Sequence, residues 1–281
     1  MTLLRDPRFP SAELPAPLVP RPDVSHVLFD FDGTLSLIRQ GWPEVMVGMF
    51  VEMLPRLSSD TDESLAQLVT DDIMRLNGKQ TIYQMLQLAE RVRERGGVPR
   101  EPLWYKHEYL RRLDAKIARR IAGIADGSIE RDAFLVYAAR PLLDALHARG
   151  LTLYLASGTD EFAVRREAEL LGVIDDFGPH VYGAQDDYAK FSKKMIIDKI
   201  LTENQISGER LLSFGDGYVE IQNTREVGGF AVAMATDEAA NGSGNIDAWK
   251  RERLLGVGAD VVLPDYRDAV ALLDCLLGPA P

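Results

Sequence analysis

The sequence predicts an α/β protein: a parallel sheet with helices on both faces, plus one inserted helical domain. Three observations carry this. Several apolar runs end in a small or acidic residue and are too continuous for strands with one wet face, which suits strands buried on both sides. Patterns of helical period follow those runs. About a hundred residues separate the first run from the second, where a strand and its helix are ordinarily a few residues apart.

Taken in order, residues 1–22 carry Pro7, Pro10, Pro15, Pro17, Pro20 and Pro22. Proline lacks the backbone N–H and fixes φ, so this segment excludes a regular helix or central strand and reads as an extended arm, on the surface or loose in solvent. The first strand is Val27–Phe29, before Asp30. The insertion reads as helices over Trp42–Leu54, Ser64–Leu76, Gln80–Arg95, Pro102–Ile124 and Arg131–Tyr137, broken at Pro55, Gly78, Gly96-Gly97 and Gly127. It is expected to form a separate domain, residues 37–137, hinged near Ser36–Gln40 and Phe134–Arg140. Residues 23–36 and 138–281 make the sheet domain.

After the insertion, Pro141 opens a helix that buries Leu142, Leu143 and Leu146 and that Gly150 stops. The second strand is Leu151–Ala156, before Ser157. Asp160 is expected to cap Glu161–Leu171, and Ser192 to cap Lys193–Leu201, which would bury Met195, Ile196, Ile197, Ile200 and Leu201. Further strands are Leu211–Phe214, Phe230–Ala235 and Val261–Leu263.

Composition narrows the function. Of 281 residues, 43 are acidic and 32 basic, a net charge of −11. Nucleic-acid binders need a basic face, so that class is excluded as a general activity. No apolar stretch is long enough to span a bilayer and the N-terminus lacks a secretory apolar core, so no membrane partner and a cytoplasmic location are expected. The single cysteine, Cys275, has no partner within the chain and reads as a buried, inert thiol. His26, His107, His147 and His180 lack metal-ligand spacing, and Trp42, Trp104 and Trp249 read as packing residues. No dinucleotide-binding or P-loop glycine pattern occurs.

The chemistry concentrates at Asp30-Phe-Asp-Gly-Thr-Leu35. In an open parallel sheet ligands bind beyond the carboxyl ends of the strands. Residues two apart in extended chain share a face, so Asp30 and Asp32 project into one crevice while Phe31 turns to the core. Two adjacent carboxylates need a cation or a proton between them, which predicts a divalent metal or a raised pKa on one member. An oxygen-only ligand set favours magnesium. An Asp-Gly turn after a strand is common, but the pattern D-x-D-G-T-[LV] arises by chance in a chain this long with a probability on the order of 10⁻³.

Placed after a buried strand, this hexapeptide resembles the first motif of the haloacid dehalogenase superfamily, whose core is Rossmann-like and whose members often carry an inserted helical cap. The resemblance covers roughly residues 24–275. It implies that Asp30 attacks phosphorus to form an aspartyl phosphate and that Asp32 protonates the leaving group, then activates water. The second motif, a Ser or Thr at the next strand's end, is matched by Ser157 with Gly158. The third, a lysine, is matched by Lys190, Lys193 or Lys194, with Lys193 favoured because it opens the helix. The fourth, G-D-x-x-x-D, is matched by Gly215-Asp-Gly-Tyr-Val-Glu220, with Glu220 where aspartate is usual. Magnesium would take Asp30, the backbone carbonyl of Asp32 and Asp216, with Glu220 direct or through water.

The second aspartate argues for phosphate esters over halides, because a halide leaves without a proton. Asn77-Gly-Lys-Gln-Thr-Ile82 resembles the family's cap loop that contacts the leaving group, making Lys79 a substrate-binding candidate; Arg39 beside the hinge is a second. A solvated surface cation is the competing reading of each. The expected activity is a magnesium-dependent phosphatase of a small phosphorylated metabolite, a sugar phosphate or phosphoglycolate-like compound, as a monomer or homodimer. A phosphomutase of the same fold and a non-catalytic binding module are the alternatives.

Overall fold

The computed structural model describes residues 3–279. In chain order its elements are β1 (Leu4–Asp6), β2 (Phe9–Leu14), β3 (His26–Phe29), α1 (Trp42–Met53), α2 (Asp62–Arg75), α3 (Thr81–Glu94), α4 (Pro102–Ala125), α5 (Ala139–Ala148), β4 (Thr152–Asp160), α6 (Glu161–Leu171), α7 (Ile174–Phe177), β5 (Val181–Ala184), α8 (Lys193–Glu203), β6 (Leu211–Gly215), α9 (Tyr218–Glu226), β7 (Phe230–Met234), α10 (Ala248–Gly256), β8 (Val261–Leu263) and α11 (Ala269–Leu277), with short 3₁₀ turns between some of them.

The strands form one sheet in the order β1-β2-β8-β7-β6-β3-β4-β5. Strands β3 to β8 pair parallel, and β2 joins β8 antiparallel. The chain runs outward from β3 in both directions, so β3 is the switch point beside which an open α/β sheet forms its crevice. Phe29 is level with Leu155 on β4 and Phe214 on β6. That register brings the segments after Phe29, Leu155 and Phe214 to one edge.

Both faces of the sheet are dry, as the continuous apolar runs require. Val27 and Phe29 pack with Leu142, Leu146, Val164 and Leu272 on one side. Leu28 and Tyr154 meet Ile196, Ile197 and Ile200 on the other. Ile221 and Leu254 cover the β7 and β8 end of that second face. Helices α1 to α4 form the insertion; Thr61 and Ser64 make a reciprocal capping box at the start of α2. Its two connecting segments pair: Leu37 N–H donates to Phe134 O at 2.9 Å and Val136 N–H to Leu35 O at 2.9 Å.

Several sequence expectations are corrected here. The arm is not loose, since β1 and β2 form a hairpin with Phe9 and Ala12 fully buried and Glu13 paired with Val262. Pro7 is compatible because it lies in the turn between the two strands, and Pro10 because β2 pairs with β8 only at Glu13. Arg131–Tyr137 is not an α-helix; a 3₁₀ turn ends at Phe134 and Leu135 is extended, because its backbone is recruited to the connecting pair. Strand β4 runs past Ala156 to Asp160, with a register shift between Ala156 and Asp160. Asp160 does not cap α6; its carboxylate meets the buried Lys106 ammonium at 2.6 Å. Met195, Trp104 and Trp249 are exposed, and Cys275 is half-buried. Among the described residues no helix is long and apolar enough to cross a membrane.

Candidate active site

Asp30 follows β3 and is buried. Its Oδ1 accepts the Phe31 N–H at 2.7 Å, and its Oδ2 lies 2.6 Å from the Lys193 ammonium. Lys193 is the first residue of α8, where the Ser192 side chain caps the helix by accepting the Met195 N–H. The three neighbouring lysines separate cleanly: Lys193 is buried, whereas Lys190 pairs with Asp187 and Lys194 with Asp198 in solvent.

Lys193 also meets Glu220 Oε2 at 2.8 Å, and Glu220 Oε1 accepts the Gly217 N–H at 2.6 Å. The longer glutamate arm thus holds the lysine and the first turn of α9. Burial opposes charge on Lys193, but Asp30 and Glu220 outweigh it and its pKa is raised. The ammonium therefore persists, and it pulls against the burial that pushes Asp30 up.

Asp32 has different partners. Its Oδ2 accepts the Thr159 hydroxyl at 2.7 Å, with Ser157 Oγ at a long 3.5 Å, and its Oδ1 is 3.8 Å from Arg39 Nε. Burial pushes its pKa up to about 7, with Arg39 opposing and Glu167 adding to the rise. Arg39 is itself buried and held by both oxygens of Glu167, at 3.0 and 2.8 Å. Sequence reasoning missed Thr159 and Glu167. Thr159 shares the face of Ser157 at strand period two and was within reach of that argument; Glu167, on α6, has no local signal.

Asp216 follows β6. Its approach depends on Gly33, whose φ is +72° and where any side chain would collide with the Asp216 carboxylate. Asp30, Asp216 and Glu220 each place one carboxylate oxygen within 4.8 Å of the others. An all-oxygen cluster with Asp30 and Glu220 buried and Asp216 half-buried fits a hard divalent cation such as magnesium.

The cavity over these residues is about 610 Å³, counting its open mouth. Its floor is Asp30, Asp32, Ser157, Gly158, Thr159, Lys193 and Asp216; its roof includes Trp42, Asn77, Lys79, Gln84 and Tyr109 from the insertion. In the sequence Trp42 reads only as a packing residue and Tyr109 is not singled out, yet both line the cavity. The roof loop sits tightly on the core, because a β-carbon on Gly158 would lie 2.7 Å from the Lys79 carbonyl oxygen. The Gln80 amide donates to the Tyr188 and Phe191 carbonyls, and Arg253 donates to the Met74, Arg75 and Asn77 carbonyls at the end of α2.

A family model for haloacid dehalogenase-like hydrolases matches residues 24–228, most of the chain. The chain belongs to that family. Among solved structures, a haloacid dehalogenase-like family protein from Streptococcus pneumoniae is 18% identical, with 89% of this chain and 99% of that one covered and a TM-score of 0.57. A protein from Haemophilus somnus described as a predicted phosphoglycolate phosphatase is 15% identical, with 89% and 98% covered and a TM-score of 0.57. A β-phosphoglucomutase from Clostridium difficile is 13% identical, with 83% and 98% covered and a TM-score of 0.54. At such identities these likenesses establish a shared fold. No curated protein matches the sequence.

Proposed function

We propose that this hydrolase is a magnesium-dependent phosphatase acting on a small phosphorylated metabolite through an aspartyl-phosphate intermediate. The supporting observation is the unequal treatment of two neighbouring carboxylates. Burial raises the Asp30 pKa, and the permanent Lys193 ammonium at 2.6 Å works against that rise, toward the ionised, nucleophilic form. Asp32 takes its close hydrogen bond from a neutral hydroxyl, has its cation only at 3.8 Å, and is pushed up to about 7 by burial, which suits a group that must give and then take a proton.

In the proposed reaction an Asp30 carboxylate oxygen attacks phosphorus and the bond to the ester oxygen breaks. The Asp32 proton passes to that leaving oxygen. Water then attacks phosphorus, Asp32 takes its proton, and the bond to Asp30 breaks to release inorganic phosphate. Ser157 and Lys193 donate to the phosphoryl oxygens, where charge builds. Asp30, the Asp32 backbone carbonyl and Asp216 would hold magnesium, which when bound neutralises charge on the phosphoryl group and orients it. Glu220 positions Lys193. Arg39, Lys79, Trp42 and Tyr109 surround the space left for the leaving group, and the closed roof favours a metabolite over a phosphoprotein.

The test is phosphate release across a panel of phosphorylated metabolites with and without magnesium. Asp30→Asn is expected to abolish turnover with the circular dichroism spectrum unchanged; retained turnover would sink the mechanism. Strict dependence on a bisphosphate activator, with no net phosphate release, would assign a mutase instead.

A further inference from the structure

Lys250 stands outside every motif and beyond the segment matched by the family model. It is the third residue of α10, whose start Asp247 caps by accepting the Lys250 N–H. Its side chain is buried, with Nζ 2.9 Å from Asp216 Oδ2 and 2.6 Å from Glu238 Oε1. Glu238 lies after β7 and reaches the catalytic loop, since a β-carbon on Gly33 would be 3.0 Å from its Oε1. An ammonium is thus tied to the proposed metal ligand, and a further carboxylate lies beside it.

The ammonium withholds oxygens. With Oδ2 engaged, Asp216 offers a cation one oxygen instead of two, and Glu238 is occupied by the same ammonium. Magnesium is content with one oxygen from each of one or two carboxylates, keeping waters for the rest of its octahedron, whereas calcium takes six to eight oxygens and often both from one carboxylate. Removing the ammonium would free Asp216 Oδ2 and Glu238 together. That change favours the larger ion.

We infer that Lys250 is a positioning residue that sets the metal selectivity of this site, holding Asp216 to single-oxygen ligation and keeping Glu238 out of the ligand set so that calcium is disfavoured against magnesium. This rests on the proposed magnesium site.

The test is calorimetric titration of the full-length protein and its variants with magnesium chloride and with calcium chloride, without substrate. Lys250→Met is expected to tighten calcium binding about tenfold or more, and to change magnesium binding by less than about threefold. Lys250→Arg, which keeps the charge, should retain the wild-type preference. Lys250→Met/Glu238→Gln removes both charges of the pair and is the better-tolerated variant. Its calcium affinity should fall between wild type and Lys250→Met, because Asp216 Oδ2 is free but the extra carboxylate is not. Equal changes for the two ions, or weaker calcium binding in the double variant than in wild type, would overturn the inference. A wild-type protein that binds neither ion would overturn the magnesium site and this inference together; one that binds magnesium, with an unchanged preference in the variants, overturns the inference alone.

Discussion

The pair Arg39–Glu167 should move the titration of Asp32 in opposite directions when either member is changed. Arg39 Nε lies 3.8 Å from Asp32 Oδ1. At an effective dielectric constant of about 20 a unit charge there is worth about 4 kcal/mol, an upper limit of about three pKa units. The effect is partly cancelled, because Glu167 binds the same guanidinium. In Glu167→Gln the guanidinium remains charged and acts alone on Asp32, so the pKa of about 7 should fall by about one unit. In Arg39→Met the buried Glu167 loses its two-point partner and keeps only Arg166 Nη2 at 3.3 Å, so Asp32 loses the cation that opposes its rise while the Glu167 carboxylate stays. Arg39 is the stronger influence on Asp32, and the net shift is upward by about one unit. The assay is the pH dependence of kcat/KM for an alkyl phosphate, whose leaving oxygen needs a proton as an aryl oxygen does not. The limb on which activity falls as pH rises through the Asp32 pKa should move down in Glu167→Gln and up in Arg39→Met. Limbs that stay put, or move together, would refute the assignment of Asp32 as the acid.

Stability should show the same raised carboxyl. A folded-state pKa of about 7 against an ordinary 3.8 means that ionising Asp32 destabilises the fold increasingly from pH 4 upward and fully above pH 7. The side chain keeps 22% of its exposure, so the cost is discounted to about 2 kcal/mol. In urea titrations of metal-free protein, Asp32→Asn should be more stable than wild type at pH 8 and equal to it at pH 4; equal stabilities at both would argue against the shift. Gly158→Ala places a methyl against the Lys79 carbonyl and should lift the roof loop, raising KM about tenfold with little change in melting temperature; an unchanged KM would mean that the roof opens freely. Phe9→Ala empties a fully buried site under β2 and should cost about 3 kcal/mol; a loss below about 1 kcal/mol would show that the hairpin is dispensable.

What the sequence disclosed and what it hid divide by range. The strands after which Asp30, Ser157 and Asp216 sit were legible because burial on both faces leaves unbroken apolar runs, and helix ends were legible from Pro141, Gly150 and Ser192. Strand β5 was not, because Val181-Tyr-Gly-Ala184 is short and carries a glycine that helps to pack it against Glu161. Among Lys190, Lys193 and Lys194 the sequence favoured the middle one, but the decision lies in burial, which depends on Glu220 meeting α8 from α9. The arm's prolines announced an extended chain; its partner, Val262, is near the other end of the sequence. Arg39 and Glu167 are 128 residues apart, and no local pattern links them. Lys250 and Glu238 were invisible for the same reason.

The charges around Asp30 explain why a lysine at position 250 is compatible with a metal site at all. Asp30, Glu220, Asp216 and Glu238 are bridged by two ammonium groups, Lys193 between the first two and Lys250 between the last two. With all four carboxylates ionised, two ammonium groups leave two formal negative charges, the amount that one divalent cation would cancel, and burial pushes Asp30 and Glu220 up without such a counter-charge. Arg39 and Glu167 cancel each other, so Asp32 is neutral to its surroundings only when it holds its proton. In the proposed reaction the phosphorylation step starts from that state. With the proposed cation bound, a phosphoryl dianion would meet a site whose own charge is balanced, and its stabilisation would fall to the ammonium and to that cation. Losing either lysine would upset that balance in different ways: without Lys193 the nucleophile loses its counter-charge and the chemistry slows, whereas without Lys250 the excess negative charge gathers on the ligand side and cation binding changes first.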